Sequence, residues 1–294
     1  MEKRLSISIA STLVLSVPGI AMAQNLFLSG GSGGDIYRFA PDGSRSTVTS
    51  GLFYSGLACD NAGNLFAASP APAGNSIYKF APGGARTTFA SGLNEPYGLA
   101  FDSSGNLFEA DFSSETIYQF TPGGLRTTFA SLLNYPYGVA FDNTGNLFVT
   151  TYRGGSLYKF TPDGISSSFG SGLVKPIGIA CGPGGNVFVA DLGGGGTTDG
   201  SIYKFAPNGT RTTFASGLDP YGLAFDGAGN LFAADYGSDA IYEYAPDGTR
   251  STFASGVIGH GVFWLASQVP EPSVWAILGM GGLVLFGLRH KAQY

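Results

Sequence analysis

The chain has 294 residues, with 15 Lys and Arg against 20 Asp and Glu, and 47 of its residues are Gly. A net charge of −5 with no basic patch repels phosphate backbones and argues against a nucleic-acid partner. Glycine at roughly twice its usual share argues against a helical fold.

Taken in chain order, residues 1–23 read as a signal peptide. Lys3 and Arg4 give a positive start, Ile7 to Val17 is a short apolar core, and Ala21 and Ala23 are small residues suited to cleavage. The segment 24–268 then carries 11 Lys and Arg against 18 Asp and Glu, and it is built from repeats. Asn-Leu-Phe, or Asn-Val-Phe once, starts at Asn25, Asn64, Asn106, Asn146, Asn186 and Asn230, in steps of 39, 42, 40, 40 and 44 residues. An Ile-Tyr-Lys-Phe-like marker keeps pace with it at Asp35, Ser76, Thr116, Ser156, Ser201 and Ala240.

Each repeat divides into four strand-like pieces. Pro-Tyr-Gly-Leu-Ala-Phe-Asp is the first, and its Asp-x-x-Gly end, Asp102 to Gly105 for instance, suits a type I turn with glycine in the left-handed position. Asn-Leu-Phe-x-Ala-Asp is the second. The third alternates as a half-buried strand does, with Tyr78 and Phe80 on one face and Ile77 and Lys79 on the other. After Pro-x-Gly punctuation, a Thr-rich fourth piece led by Arg45, Arg86, Arg126, Arg211 or Arg250 (Ser166 in the fourth repeat) fits a charged outer edge.

Four-stranded antiparallel units recurring every 40 or so residues predict an all-β protein, a six-bladed β-propeller. The two ends of 24–268 complement each other. The chain enters at a second strand, Asn25-Leu26-Phe27, and a spare first strand, Gly259 to Leu265, appears at the far end. The expectation is a ring closed by that strand, with Val262 and Phe263 beside Leu26 and Phe27, because an open stack would need capping units.

Residues 269–294 form a tail. Val274 to Leu288 is apolar throughout and precedes Arg289, His290 and Lys291, which predicts a transmembrane helix over 274–288 with the propeller outside. The run Pro270-Glu271-Pro272 forbids helix across the junction and keeps it exposed.

The repeat, Pro-x-Gly-Leu/Val/Ile-Ala-x-Asp-x-x-Gly-Asn-Leu/Val-Phe followed by Ile-Tyr-Lys-Phe, resembles NHL-type propellers and the related senescence-marker/gluconolactonase and virginiamycin lyase propellers. The tail resembles a PEP-CTERM sorting signal of Gram-negative bacteria. That resemblance implies tethering in the inner membrane, cutting near Pro270, Glu271 and Pro272 by an exosortase-type enzyme, and release to the cell surface or extracellular matrix. The gluconolactonase resemblance implies a divalent cation, and the lyase resemblance a catalytic histidine.

Aligning the repeats puts one residue per blade at the channel mouth: His260, Ser55, Tyr97, Tyr137, Ile177 and Tyr221. Flat faces with polar tips suit sugars or small aromatic ligands, and the same tyrosines also suit plain filling between inner strands. His260 is a candidate general base or a structural residue. Glu109 replaces an apolar residue, its equivalents being Leu28, Ala67, Val149, Val189 and Ala233. It is a candidate catalytic acid or, with Asp111, a metal ligand; the alternative is an acid paired to a nearby Tyr or Arg. Asp111, Asp191 and Asp235 recur after the second strand, and Asp60, Asp102, Asp142 and Asp226 recur in the turns, as capping acids do. Cys59 and Cys181 take the place of Phe101, three blades apart, too far for a disulfide.

The expected function is an exported binding or scaffold module for carbohydrate, peptide or protein. The alternatives are a metal-dependent lactonase or hydrolase centred on Glu109 and, third, a lyase using His260.

Overall fold

Strand after strand in this chain ends at a glycine that the backbone bends through. Gly105, at φ +81°, returns its amide to Asp102 at 3.1 Å, and the Asp102 carboxylate accepts from the Ser104 and Asn106 amides and the Asn106 side chain. Such local closure fixes hairpin register. In the computed structural model, which describes residues 25–30, 34–70, 72, 74–194, 199–256 and 264–268, the result is twenty-four strands in six four-stranded antiparallel sheets.

The inner strands follow one another around a ring: Trp264–Ser267, Leu57–Cys59, Pro96–Phe101, Pro136–Phe141, Pro176–Cys181 and Pro220–Phe225 in blades 1 to 6. They approach so closely that a Cβ on Gly178 would fall 1.9 Å from the Tyr221 carbonyl oxygen, and one on Gly138 2.2 Å from that of Ile177. Only glycine fits there. The outermost strands, Arg126–Ala130 for example, are exposed along their first three residues. Their arginines lie over the tyrosines of the third strands, Arg211 4.6 Å from the Tyr203 ring and Arg126 5.0 Å from that of Tyr118. Charge and polar β-branched residues thus cover the free edges, as expected.

Blades pack through aromatic triads. Phe108 meets Phe129 of its own blade and Phe141 of the next at 5.0 and 4.9 Å, and Phe188 meets Phe214 and Phe225 at 5.1 and 5.2 Å. Burying each ring contributes about 1.5–3 kcal/mol. Cys59 and Cys181 take the third place in two junctions; both thiols are unpaired, and burial pushes that of Cys59 up to about 12.

Two expectations need correcting. The third strands are not half-buried: Ile77 and Phe80 are both enclosed while Tyr78 and Lys79 between them are partly covered, because each blade is sandwiched by its neighbours. A bulge between Ile77 and Tyr78 also breaks the simple alternation against the outer strand. The ring does close with the C-terminal strand, but in another register. Leu26, Phe27, Leu28 and Ser29 face Ser267, Ala266, Leu265 and Trp264. Leu265 opposes Leu28 as Leu99 opposes Glu109, so Trp264 rather than Gly261 falls where other blades have the glycine of Tyr-Gly. The chosen register buries Trp264, Leu265 and Ala266 and sets Gln268 opposite Asn25, with the Gln268 amide 3.0 Å from the Asn25 carbonyl and the Asn25 side chain donating to Oε1 at 2.7 Å. This pair reproduces across the chain ends what Asp102 and Asn106 do within one turn.

The signal peptide with Ala21 and Ala23, His260, Pro270, Glu271, Pro272 and the apolar span lie outside the described residues. Among the described residues no helix is long and apolar enough to cross a membrane.

Candidate functional site

The links entering the inner strands gather on one face around the channel. Carboxylates at the ends of second strands hold them: Asp111 accepts from the Asn94 amide at 2.7 Å, Asp191 from those of Val174 and Lys175 at 2.8 Å, and Asp235 from that of Asp219 at 2.6 Å. In blades 3 to 6 the inner strand then bulges. Pro96 faces Asp111 and Leu99 faces Glu109, leaving Tyr97 and Gly98 opposite a single residue, and the same break recurs at Pro136, Pro176 and Pro220. The bulge re-aims a side chain at the channel from each of these blades.

Of the six aligned mouth residues, the structure brings the tyrosines into one aromatic cluster. Tyr137 stacks on Tyr97 at 4.4 Å and 21°, on Tyr152 at 5.7 Å and 30°, and on Trp264 at 5.7 Å and 17°. Trp264 belongs to blade 1 and Tyr137 to blade 4, so the indole reaches across the channel to the opposite side. Phe112 closes edge-on against Tyr97 at 5.3 Å, and Tyr221 pairs with Tyr236 at 6.0 Å. Tyr137 is buried at the centre, whereas Tyr97, Phe112, Tyr152 and Tyr221 keep part of their surface in solvent.

Ser55 and Ile177 do not join this surface. Ser55 is enclosed and donates to the Pro96 carbonyl at 2.9 Å, while Ser29 donates to the Ser55 carbonyl at 2.7 Å, so the hydroxyls tie blades 1, 2 and 3 together. Ile177 is core, and its carbonyl accepts from Thr150 at 2.9 Å. Phe112, Tyr152, Tyr236 and Trp264 are the residues missed by aligning first strands alone. The first three share one signal, an aromatic residue directly after the last residue of the second strand.

The electrostatics of this face are negative. Burial and then the Glu95 carboxylate push the Tyr97 hydroxyl up, and burial and then Asp219 raise that of Tyr221 to about 12. The phenols therefore stay neutral at ordinary pH. The Trp264 indole N–H is buried and, among the described residues, has no acceptor. Leaving such a donor unpaired costs about 1–3 kcal/mol.

Glu109 is fully enclosed, and among the described residues neither carboxyl oxygen has a hydrogen-bond partner. By strand alternation it shares the Leu107 face, where Leu107 packs with Phe66 and Ala68 of blade 2. Burial, and then the charge of Asp111, push its carboxyl well above the ordinary range, with Arg126 acting in the opposite sense. Asp111 is itself engaged by the Asn94 and Ser114 amides, and among the described residues no three His, Cys, Asp or Glu side chains come together. The two carboxylates do not make a cage that fits a divalent cation.

No protein-family model and no curated protein matches the chain. Solved structures do. A chain in a nidogen/laminin complex superimposes with a TM-score of 0.71 at 18% identity, covering 85% of this chain and 100% of that one. Virginiamycin B lyase from Staphylococcus aureus gives 0.60 at 14%, covering 82% and 91%. A protein described as a putative gluconolactonase gives 0.59 at 19%, covering 70% and 79%. At these identities the likeness establishes the six-bladed propeller and nothing finer.

Proposed function

We propose that this protein is an exported, surface- or matrix-associated binding module that takes a carbohydrate, peptide or protein partner on the channel mouth. The observation that carries the reading is the cluster of Tyr97, Phe112, Tyr152 and Trp264 around Tyr137, part enclosed and part open, on the face where the blades' links converge. Rigid rings offer large contact area at little entropic cost, and the negative field disfavours anionic ligands. The nidogen/laminin complex is consistent with a protein partner, since its propeller has a similar fold. The N-terminal apolar stretch, Pro270-Glu271-Pro272 and the apolar span from Val274 to Leu288 support export, inner-membrane tethering and exosortase-type processing in a Gram-negative cell.

The test replaces Tyr97, Phe112 and Tyr152 by Ala and measures binding to arrayed neutral glycans and to candidate partner proteins. A loss of tenfold or more is expected in a variant that still melts cooperatively, at a lower temperature. Unchanged binding by the triple variant sinks the mouth as the site.

The alternative, a divalent-cation-dependent lactonase centred on Glu109, would need ligands beyond Glu109 and Asp111, since among the described residues no third acid, His or Cys joins them. Stoichiometric bound metal together with lactone hydrolysis lost in Glu109→Gln would overturn the binding-module reading.

A further inference from the structure

We infer that the protein holds its aromatic mouth away from the membrane, with the opposite, turn-bearing face toward the lipid; the inference rests on the anchored reading above. Every inner strand runs the same way through the disc. In blade 3 it begins at Pro96, beside the link that Asp111 caps, and ends at Phe101, ahead of the Asp102–Asn106 turn. The closing strand does likewise. Its first residue, Trp264, stacks on Tyr137 at the mouth, and its last, Ser267, leads to Gln268, which is bound to Asn25 in the place of that turn. Both ends of the described chain therefore leave from the turn face, near the channel axis rather than the rim.

Length then decides orientation. Five residues separate Gln268 from Val274, where the apolar run starts. Fully extended, that stretch reaches roughly 20 Å. A propeller of this size has a radius of gyration of about 18 Å, so the path over its surface from one face to the other is roughly 70 Å. The leash is too short by a factor of about three for the mouth to reach the bilayer that anchors the chain. Charge does not oppose this arrangement. The turns carry Asp102 and Asp142, and at the mouth Arg153 and Lys175 stand among the acids Glu95, Asp191 and Asp219, so neither face is drawn to anionic lipid over the other. One consequence follows for function: the ligand site stays open to the exterior while the protein is tethered.

The experiment uses the full chain in phosphatidylethanolamine/phosphatidylglycerol vesicles containing a nitroxide-headgroup lipid. With Cys59 and Cys181 replaced by Ala, one cysteine is placed on the turn face, Ser103→Cys, or at the mouth, Ser113→Cys, and labelled with a fluorophore. Both positions are exposed. Asn143→Cys and Arg153→Cys, also exposed, form a second pair should either of the first fail to fold. Quenching severalfold stronger at the turn face than at the mouth is expected. Equal quenching, or stronger quenching at the mouth, in a chain that floats with the vesicles overturns the orientation alone. A chain that does not float with them removes the anchored reading and the orientation with it.

Discussion

The two faces of the disc come from one repeat but follow it with different strictness. On the turn face the Asp–Asn pair recurs almost as a copy: Asn64, Asn106, Asn146 and Asn230 donate to Asp60, Asp102, Asp142 and Asp226 at 2.7 to 2.8 Å. On the mouth face the links vary in length and in residue. Glu95 and Tyr135 hold positive φ values of 61° and 55° without being glycine. A short local turn must be right in every blade or its hairpin loses register, whereas the links are held by the inner strands and leave their side chains free to differ. The repeating face specifies the fold, and the irregular one carries the aromatic cluster proposed above as the binding site.

The closing strand reaches both faces and sharpens this contrast. Trp264→Ala, at its mouth end, removes a buried ring and its stack on Tyr137, and about 3–5 kcal/mol of stability should go with it in a denaturant titration. Gly178→Ala places a methyl 1.9 Å from the Tyr221 carbonyl; about 3 kcal/mol of destabilisation is expected, and a smaller loss would mean that the inner strands can move apart.

Glu109→Leu, which restores the residue type found at Leu28, acts in the other direction, and more so above acid pH. The folded chain keeps a proton on Glu109 that the unfolded chain releases above about pH 4.3. The pH-dependent part of wild-type stability is therefore full below that pH and falls as pH rises toward the elevated folded-state value. The variant should be more stable than wild type by about 1 kcal/mol at pH 4, because even the neutral carboxyl is buried without a partner, and the gap should widen by about 1–2 kcal/mol by pH 8 in denaturant titrations. A gap that stays constant across that range would show that Glu109 titrates alike in the folded and unfolded chain.

At the turn end, Gln268→Ala loses one clasp and should cost about 1 kcal/mol, close to the cost of Asn106→Ala inside a blade. Unequal costs would mean that ring closure is held by more than a copy of the blade's own turn. The smallest effect belongs to the mouth. Tyr152→Phe, which keeps the ring and its stack on Tyr137 and removes only the hydroxyl, should shift stability by no more than about 0.5 kcal/mol while weakening ligand binding, which calorimetry and a melting curve measure side by side.

Much of this was legible locally. Asp-x-x-Gly-Asn, Pro-x-Gly and the Arg-led edge strands each announce a turn or an exposed edge through dihedral preference and charge, and the structure has them at those positions. The tyrosine positions were legible too, because Pro-Tyr-Gly repeats. What stayed hidden was Trp264. Its strand is followed in the sequence by no Asp-x-x-Gly motif, and its one-residue shifts could be separated only by what each would bury.

The sequence by itself determined the period, the six four-stranded units and the chemistry of their turns, which follow from backbone preferences acting over a few residues, and also the meeting of the two ends of 24–268, which follows from a strand missing at one end and spare at the other. Only the tertiary structure decided the register of the last strand, the stacking of Trp264 across the channel, and the enclosure of Glu109 without a partner. Those depend on which surfaces from distant parts of the chain exclude water together, and burial is a property of the assembled ring rather than of any segment in it.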